Sequence, residues 1–135
     1  MQVYFPELLA PLLRSLIHVT SLNLSNSNPG PTVIISYKIR SLTKENPFWS
    51  AFGLWFDFYP VNRRSSPTDD WRRMGDGQDD QMFVFTATRR KGSQSWDIPE
   101  RDEDLLAGVG ANGTPNPKSD DTFETLLLFS VDDML

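Results

Sequence analysis

Phe48-Trp49-Ser50-Ala51-Phe52-Gly53-Leu54-Trp55-Phe56-Asp57-Phe58-Tyr59 is the most aromatic stretch of this 135-residue chain, and its reading decides the fold. Read with a period of two, Phe48, Phe52, Leu54, Phe56 and Phe58 share one side. Trp49, Ala51, Gly53, Trp55, Asp57 and Tyr59 share the other. A strand that is apolar on both faces lies at the centre of its sheet, or turns one side to a second layer or a partner. Gly53 then marks a bulge or a close backbone approach.

The upstream sequence extends this β reading. Thr32 to Arg40 alternates, with Val33, Ile35, Tyr37 and Ile39 opposite Ser36, Lys38 and Arg40, as a half-buried antiparallel strand does. The period of two also begins at Ile17 and runs to Leu24, and the turn-rich Ser25–Pro31 joins the two runs as a hairpin. Before them, Leu8, Leu9, Leu12, Leu13 and Leu16 are spaced as on a helix near 7–17, or on one starting at Pro11 after a turn. That leucine face packs on the core or docks on a partner.

Downstream, Pro60 to Asp80 reads as a long loop and Gln81 to Arg90 as a strand. Asp97-Ile98-Pro99-Glu100 resembles a capping box, which predicts a short acidic helix near 98–107 ended by Gly108. Residues 108–122 are irregular, and Phe123 to Val131 reads as the last strand. The acidic, apolar end Phe129–Leu135 is a docking tail or a frayed strand end. With no crossover-length helix between strands, the expected fold is mainly β: an antiparallel sandwich or small barrel of about five strands. It carries a short N-terminal helix and one short acidic helix, in a single domain over 1–135. A chain of this length buries about two-thirds of its unfolded surface.

Composition narrows the chemistry. Without cysteine there are no disulfides or thiolate sites, and a single histidine excludes any two-imidazole centre. No apolar run reaches the roughly 18 residues of a membrane span, and no signal peptide is evident. The expected location is soluble, either intracellular or within an assembled particle, with no membrane partner; the sequons at Asn23 and Asn112 therefore carry no weight. The net charge of −5 divides unevenly. Residues 1–91 hold 11 basic and 8 acidic side chains and residues 92–135 hold 2 and 10. An acidic chain disfavours general nucleic-acid binding, which needs clustered cations.

Gly108-Val109-Gly110-Ala111-Asn112-Gly113 has dinucleotide-loop spacing but lacks the preceding strand and following helix, so it reads as a loop. No nucleophile elbow accompanies His18, which reads as structural. Asp76, Asp79 and Asp80, and Asp97, Glu100, Asp102, Glu103 and Asp104, do not follow a calcium-loop pattern, though loops of a sandwich can converge on a cation. No cofactor or metal is implied.

Two site readings remain. Arg63, Arg64, Trp71, Arg72 and Arg73 have the composition of an interface hot spot, and Asp102, Glu103 and Asp104 lie on an acidic segment that complements them. Arg89-Arg90 forms a third doublet. These features point to a non-enzymatic structural or interaction subunit of a larger assembly, such as a virion component, that pairs with itself or another protein. The alternative is a carbohydrate- or small-ligand-binding β-module, with Trp49, Trp55 and Tyr59 as stacking surfaces and Asp57 as acceptor. An enzyme using Asp57 or His18 ranks third.

Overall fold

In the computed structural model, residues 6–22, 24–25, 27–28, 30–63, 66–68, 72–73 and 82–132 are described. The aromatic stretch is not one strand. Leu42–Trp55 forms a helix and Phe56–Pro60 a strand, with no loop between them. The period-two reading failed because positions 48, 52 and 56 share a side in a strand and, being four apart, also share a face of a helix. Their rings stack in that helical order, Phe48 on Phe52 at 5.6 Å and Phe52 on Phe56 at 4.6 Å. Trp49, Ala51, Leu54 and Trp55 are buried on the other sides. A segment buried all round has no polar face to reveal its period.

Glu45 fixes the start of this helix. Its carboxylate is 2% exposed, and Oε1 accepts hydrogen bonds from the Arg40 and Ser41 amides and from Tyr37 Oη. Two amides at the helix entry are thereby satisfied by a negative charge placed at the positive end of the dipole. Pro47 sits inside the helix. It forgoes one backbone bond, a cost that the aromatic packing around it offsets.

The remaining elements follow. Leu9–Thr20 is α1, Val33–Lys38 β1, Leu42–Trp55 α2 and Phe56–Pro60 β2. Asn62–Arg63 and Arg72–Arg73 are β3 and β4, Met82–Arg89 is β5, Asp102–Leu106 α3 and Thr122–Asp132 α4. The main sheet has the order β1-β5-β2, with β5 antiparallel to both neighbours. β1 and β2 are therefore parallel to each other, and α2 is the crossover between them, a split βαβ arrangement. The expected five-strand sandwich or barrel is replaced by helices packed on one three-stranded sheet, beside a separate two-stranded ribbon, β3–β4.

Two further strand assignments become helices. Ile17 belongs to the ladder Leu9, Leu13, Leu16, Ile17 and Thr20, all buried, so α1 runs to Thr20 rather than giving way to a strand at 17. Pro11 is accommodated because first-turn amides have no intrahelical acceptor to lose. Residues 123–131 lie within α4, where Phe123, Leu126 and Leu127 have helical spacing and join the core. The short acidic helix does form, but it begins at Asp102; Asp97–Glu100 contains no helix. The strands expected at 32–40 and 81–90 are β1 and β5. Ile35, Tyr37, Phe83, Phe85 and Ala87 point inward onto Trp49, Phe58 and Phe123. Among the described residues, no helix is long and apolar enough to cross a membrane.

The opposite face of the sheet is more open. Ile34 and Tyr59 are 65% and 63% exposed, and both pair with Thr86, forming one row across the three strands.

Candidate functional site

The residues that suggested ligand stacking are dispersed. Trp49 is fully buried between Tyr37, Phe52, Phe85 and Phe123. Trp55 is fully buried too, with the Arg89 guanidinium over its ring at 5.5 Å and Trp96 edge-on at 5.2 Å. Both belong to the core because they lie on α2, not on the expected strand. Tyr59 is exposed on the open sheet face, and Asp57 pairs with Arg90 at 3.2 Å. The four residues share no pocket.

The Arg89-Arg90 doublet works inside the fold. Neighbouring strand residues point to opposite faces, and each arginine serves the end of a different helix. Arg89 is 5% exposed. Its guanidinium donates to Ile17 O at 3.0 Å and Ser21 Oγ at 2.8 Å near the end of α1, and to Ser93 O at 2.9 Å and Ser93 Oγ at 3.0 Å. Burial lowers its pKa from the usual arginine value, but it stays a cation, and these partners are all neutral oxygens. Arg90 donates through Nε to Gly53 O at 2.7 Å, near the end of α2, and pairs with Asp57 and Asp120. Late carbonyls of both helices thus meet positive charge. A Cβ at Gly53 would lie 2.0 Å from Asp120 Oδ2, so a larger residue there must displace that carboxylate. The strand bulge or close backbone approach expected at Gly53 is replaced by a helical glycine beside the Asp120 side chain, and the capping use of Arg89 and Arg90 is hidden by reading both helix ends as strand.

The remaining basic residues lie elsewhere. Arg63, Arg72 and Arg73 fall on the ribbon, with Arg63 opposite Arg72 and Asn62 opposite Arg73. Arg64 and Trp71 lie outside the described residues, as do Asp76, Asp79, Asp80 and the 133–135 tail. The ribbon departs from the sheet where the Val61 amide donates to Val84 O. Arg89 is five residues further along β5, roughly 17 Å away at extended rise.

The acidic segment lies beyond the Arg89 end. Asp102 pairs with Arg14 at 2.9 Å, and Glu103 with Arg101 at 2.6 Å. Asp97 is exposed and, like Glu100 and Asp104, has no side-chain hydrogen bond or ion pair among the described residues. His18 is exposed on α1. Among the described residues, no group of three or more His, Asp or Glu side chains converges on a cation position.

Asp97 borders a cavity of about 300 Å³, lined also by Ser95, Pro99, Val109, Gly110, Thr114 and Pro115. One wall is the glycine-rich loop. Gly108, Gly110, Asn112 and Gly113 all have positive φ. The amides of Gly108, Val109, Gly110, Gly113 and Thr114 bond to backbone oxygens within 104–114, so they are not directed at a phosphate. Gly110 packs so tightly on the opposite wall that a Cβ would lie 2.3 Å from Asp97 O. Lys118 Nζ closes the loop by donating to Gly108 O, Thr114 O and Asn116 O at 3.2, 3.0 and 2.5 Å. The run of glycines was visible in the sequence. The cavity was not, because it depends on contact with the 95–99 segment. The chain matches no protein-family model, no curated protein and no solved structure.

Proposed function

We propose that this chain is a non-enzymatic structural or interaction subunit that assembles head to tail into a larger particle. The observation that supports the reading is the division of charge along the chain, 11 basic and 8 acidic side chains over residues 1–91 against 2 and 10 over residues 92–135. An arginine-bearing ribbon leaves the sheet near Val84, while an acidic segment follows the Arg89 end. Complementary patches at opposite ends of one subunit form heterologous contacts, which close into rings or extend as filaments. The exposed Ile34–Thr86–Tyr59 row offers apolar area beside such a contact. Charge complementarity then sets orientation and encounter rate.

Light scattering over a concentration series tests this at low and high salt. The expected result is a mass above that of the 15.4 kDa monomer at low salt, falling as salt screens the contacts. A strict monomer at high concentration and low salt overturns the reading.

A further inference from the structure

We infer that the outer edge of β1 pairs antiparallel with the same strand of a second copy, across a twofold axis normal to the sheet. The hydrogen-bond phase of the sheet leaves that edge open. The Arg90 amide donates to Trp55 O at 2.9 Å and the Val61 amide to Val84 O at 2.8 Å. Even-numbered residues along β5 therefore turn their backbone groups toward β2, and odd-numbered ones toward β1. Phe83, Phe85 and Ala87 lie opposite Tyr37, Ile35 and Val33, so those three residues of β1 bond inward. The backbone groups of Ile34 and Ser36 point away from the sheet, and they have no partner among the described residues.

The two edges of the sheet are not equivalent. On β2 the outward residues are Phe56, Phe58 and Pro60. The Phe56 amide donates to Phe52 O, and Pro60 has no N–H to offer. β1 carries neither device. Its register with β5 is unbroken from Val33 to Lys38, with no bulge and no proline, and Ile34 is 65% exposed. An edge of this kind is a template for another strand.

The strand is also its own complement. With Ile35 of both copies on the axis, Ile34 of each lies opposite Ser36 of the other, and every outward amide and carbonyl of both residues is satisfied. A slip of one residue would set outward groups against inward ones and the open face against the core face. On the core face Val33 then meets Tyr37 and Ile35 meets its own copy, and on the open face the two Ile34 side chains are diagonal neighbours. Lys38 falls opposite Thr32, so no like charges meet. Such an isologous contact closes on itself and needs no charge, so it does not depend on the head-to-tail reading.

Sedimentation equilibrium in about 0.5 M salt, which screens surface charge within roughly 4 Å, tests this contact by itself. The expected result is a reversible rise from the 15.4 kDa chain mass to twice that mass as concentration reaches the millimolar range. Hydrogen exchange at the Ile34 and Ser36 amides should slow over the same range. Ile34→Lys sets two cations across the axis and should weaken the dimer at least about tenfold. Ser36→Pro removes an amide that bonds only outward, and should abolish the dimer with native far-UV circular dichroism. If the proline variant misfolds, Ile34→Lys and the exchange rates decide. Arg72→Glu/Arg73→Glu should leave the high-salt dimer unchanged. A monomer at millimolar concentration in high salt overturns the inference, whatever other chain the edge then accepts, and leaves the head-to-tail reading to its low-salt test. A dimer whose Ile34 and Ser36 amides exchange as fast as in the monomer overturns it too.

Discussion

Arg89-Arg90 and Arg72-Arg73 are the same dipeptide in two different settings. The first ends the central strand, where two helix termini converge and every adjoining carbonyl needs a donor. The second lies on β4 of the separate two-stranded ribbon. Identical local sequence therefore serves fold stability at one place and, in the proposed assembly, recognition at the other. The difference comes from what packs around each pair.

The contrast is tested first by removing the buried member. Arg89→Met would leave Ile17 O, Ser21 Oγ and both Ser93 acceptors without their donor. The expected loss is about 3–5 kcal/mol in chemical denaturation, the range for breaking a buried polar network. Arg89→Lys keeps charge without the planar fork, and should recover less than half of that loss. A change below 1 kcal/mol for Arg89→Met would show that the doublet is not a structural hub.

Arg90→Met should cost less, about 1–2 kcal/mol by the same measurement, because its ion pairs are partly exposed and weakened by solvent. Gly53→Ala gives an independent reading of that junction. Improved helix propensity favours alanine by about 1 kcal/mol, but its Cβ must displace an Asp120 that bonds Arg90 and the Thr122 amide. We expect net destabilisation; a stabilised variant would show that Asp120 gives way freely. Arg72→Glu with Arg73→Glu should change stability least, within about 0.5 kcal/mol, while abolishing salt-sensitive association in the light-scattering series.

The buried Tyr37–Glu45 pair predicts a pH dependence. Desolvation, then the hydrogen bond to and charge of Glu45, raise the Tyr37 pKa well above the usual phenol value. The native state therefore holds this proton more tightly than the unfolded chain. Its contribution to stability is complete below the unfolded value near pH 10 and declines above it. Denaturation midpoints measured above pH 10 should fall more steeply in the native sequence than in Tyr37→Phe.

Parts of this architecture were legible in the sequence because one face of an element was polar. Ile35 and Tyr37 alternate with Ser36 and Lys38, so β1 was plain, and β5 showed through Phe83, Phe85 and Ala87. The opposite case is α2, whose aromatic residues surround the helix and whose four-residue spacing also satisfies strand parity. That ambiguity spread outward. With no crossover helix recognised, the antiparallel sandwich followed, and Trp49 and Trp55 became candidate ligand residues rather than core. The acids at 97–104 are legible in the sequence, whereas the approach of Gly110 to Asp97 across the cavity is not. Sequence separation hides such a juxtaposition.

The strand order also constrains how the molecule can be made. β1 and β2 flank a centre that is supplied only by residues 82–89, and β1 must wait roughly fifty residues for its hydrogen-bonding partner. A nascent chain emerging N-terminus first has two unsatisfied strand edges and an exposed aromatic helix until β5 arrives; Phe123 comes later still. Closing such long loops before contacts are gained slows folding and exposes sticky surface. Ribosome-bound chains ending near residue 80 should therefore recruit chaperones, and the full-length product should release them.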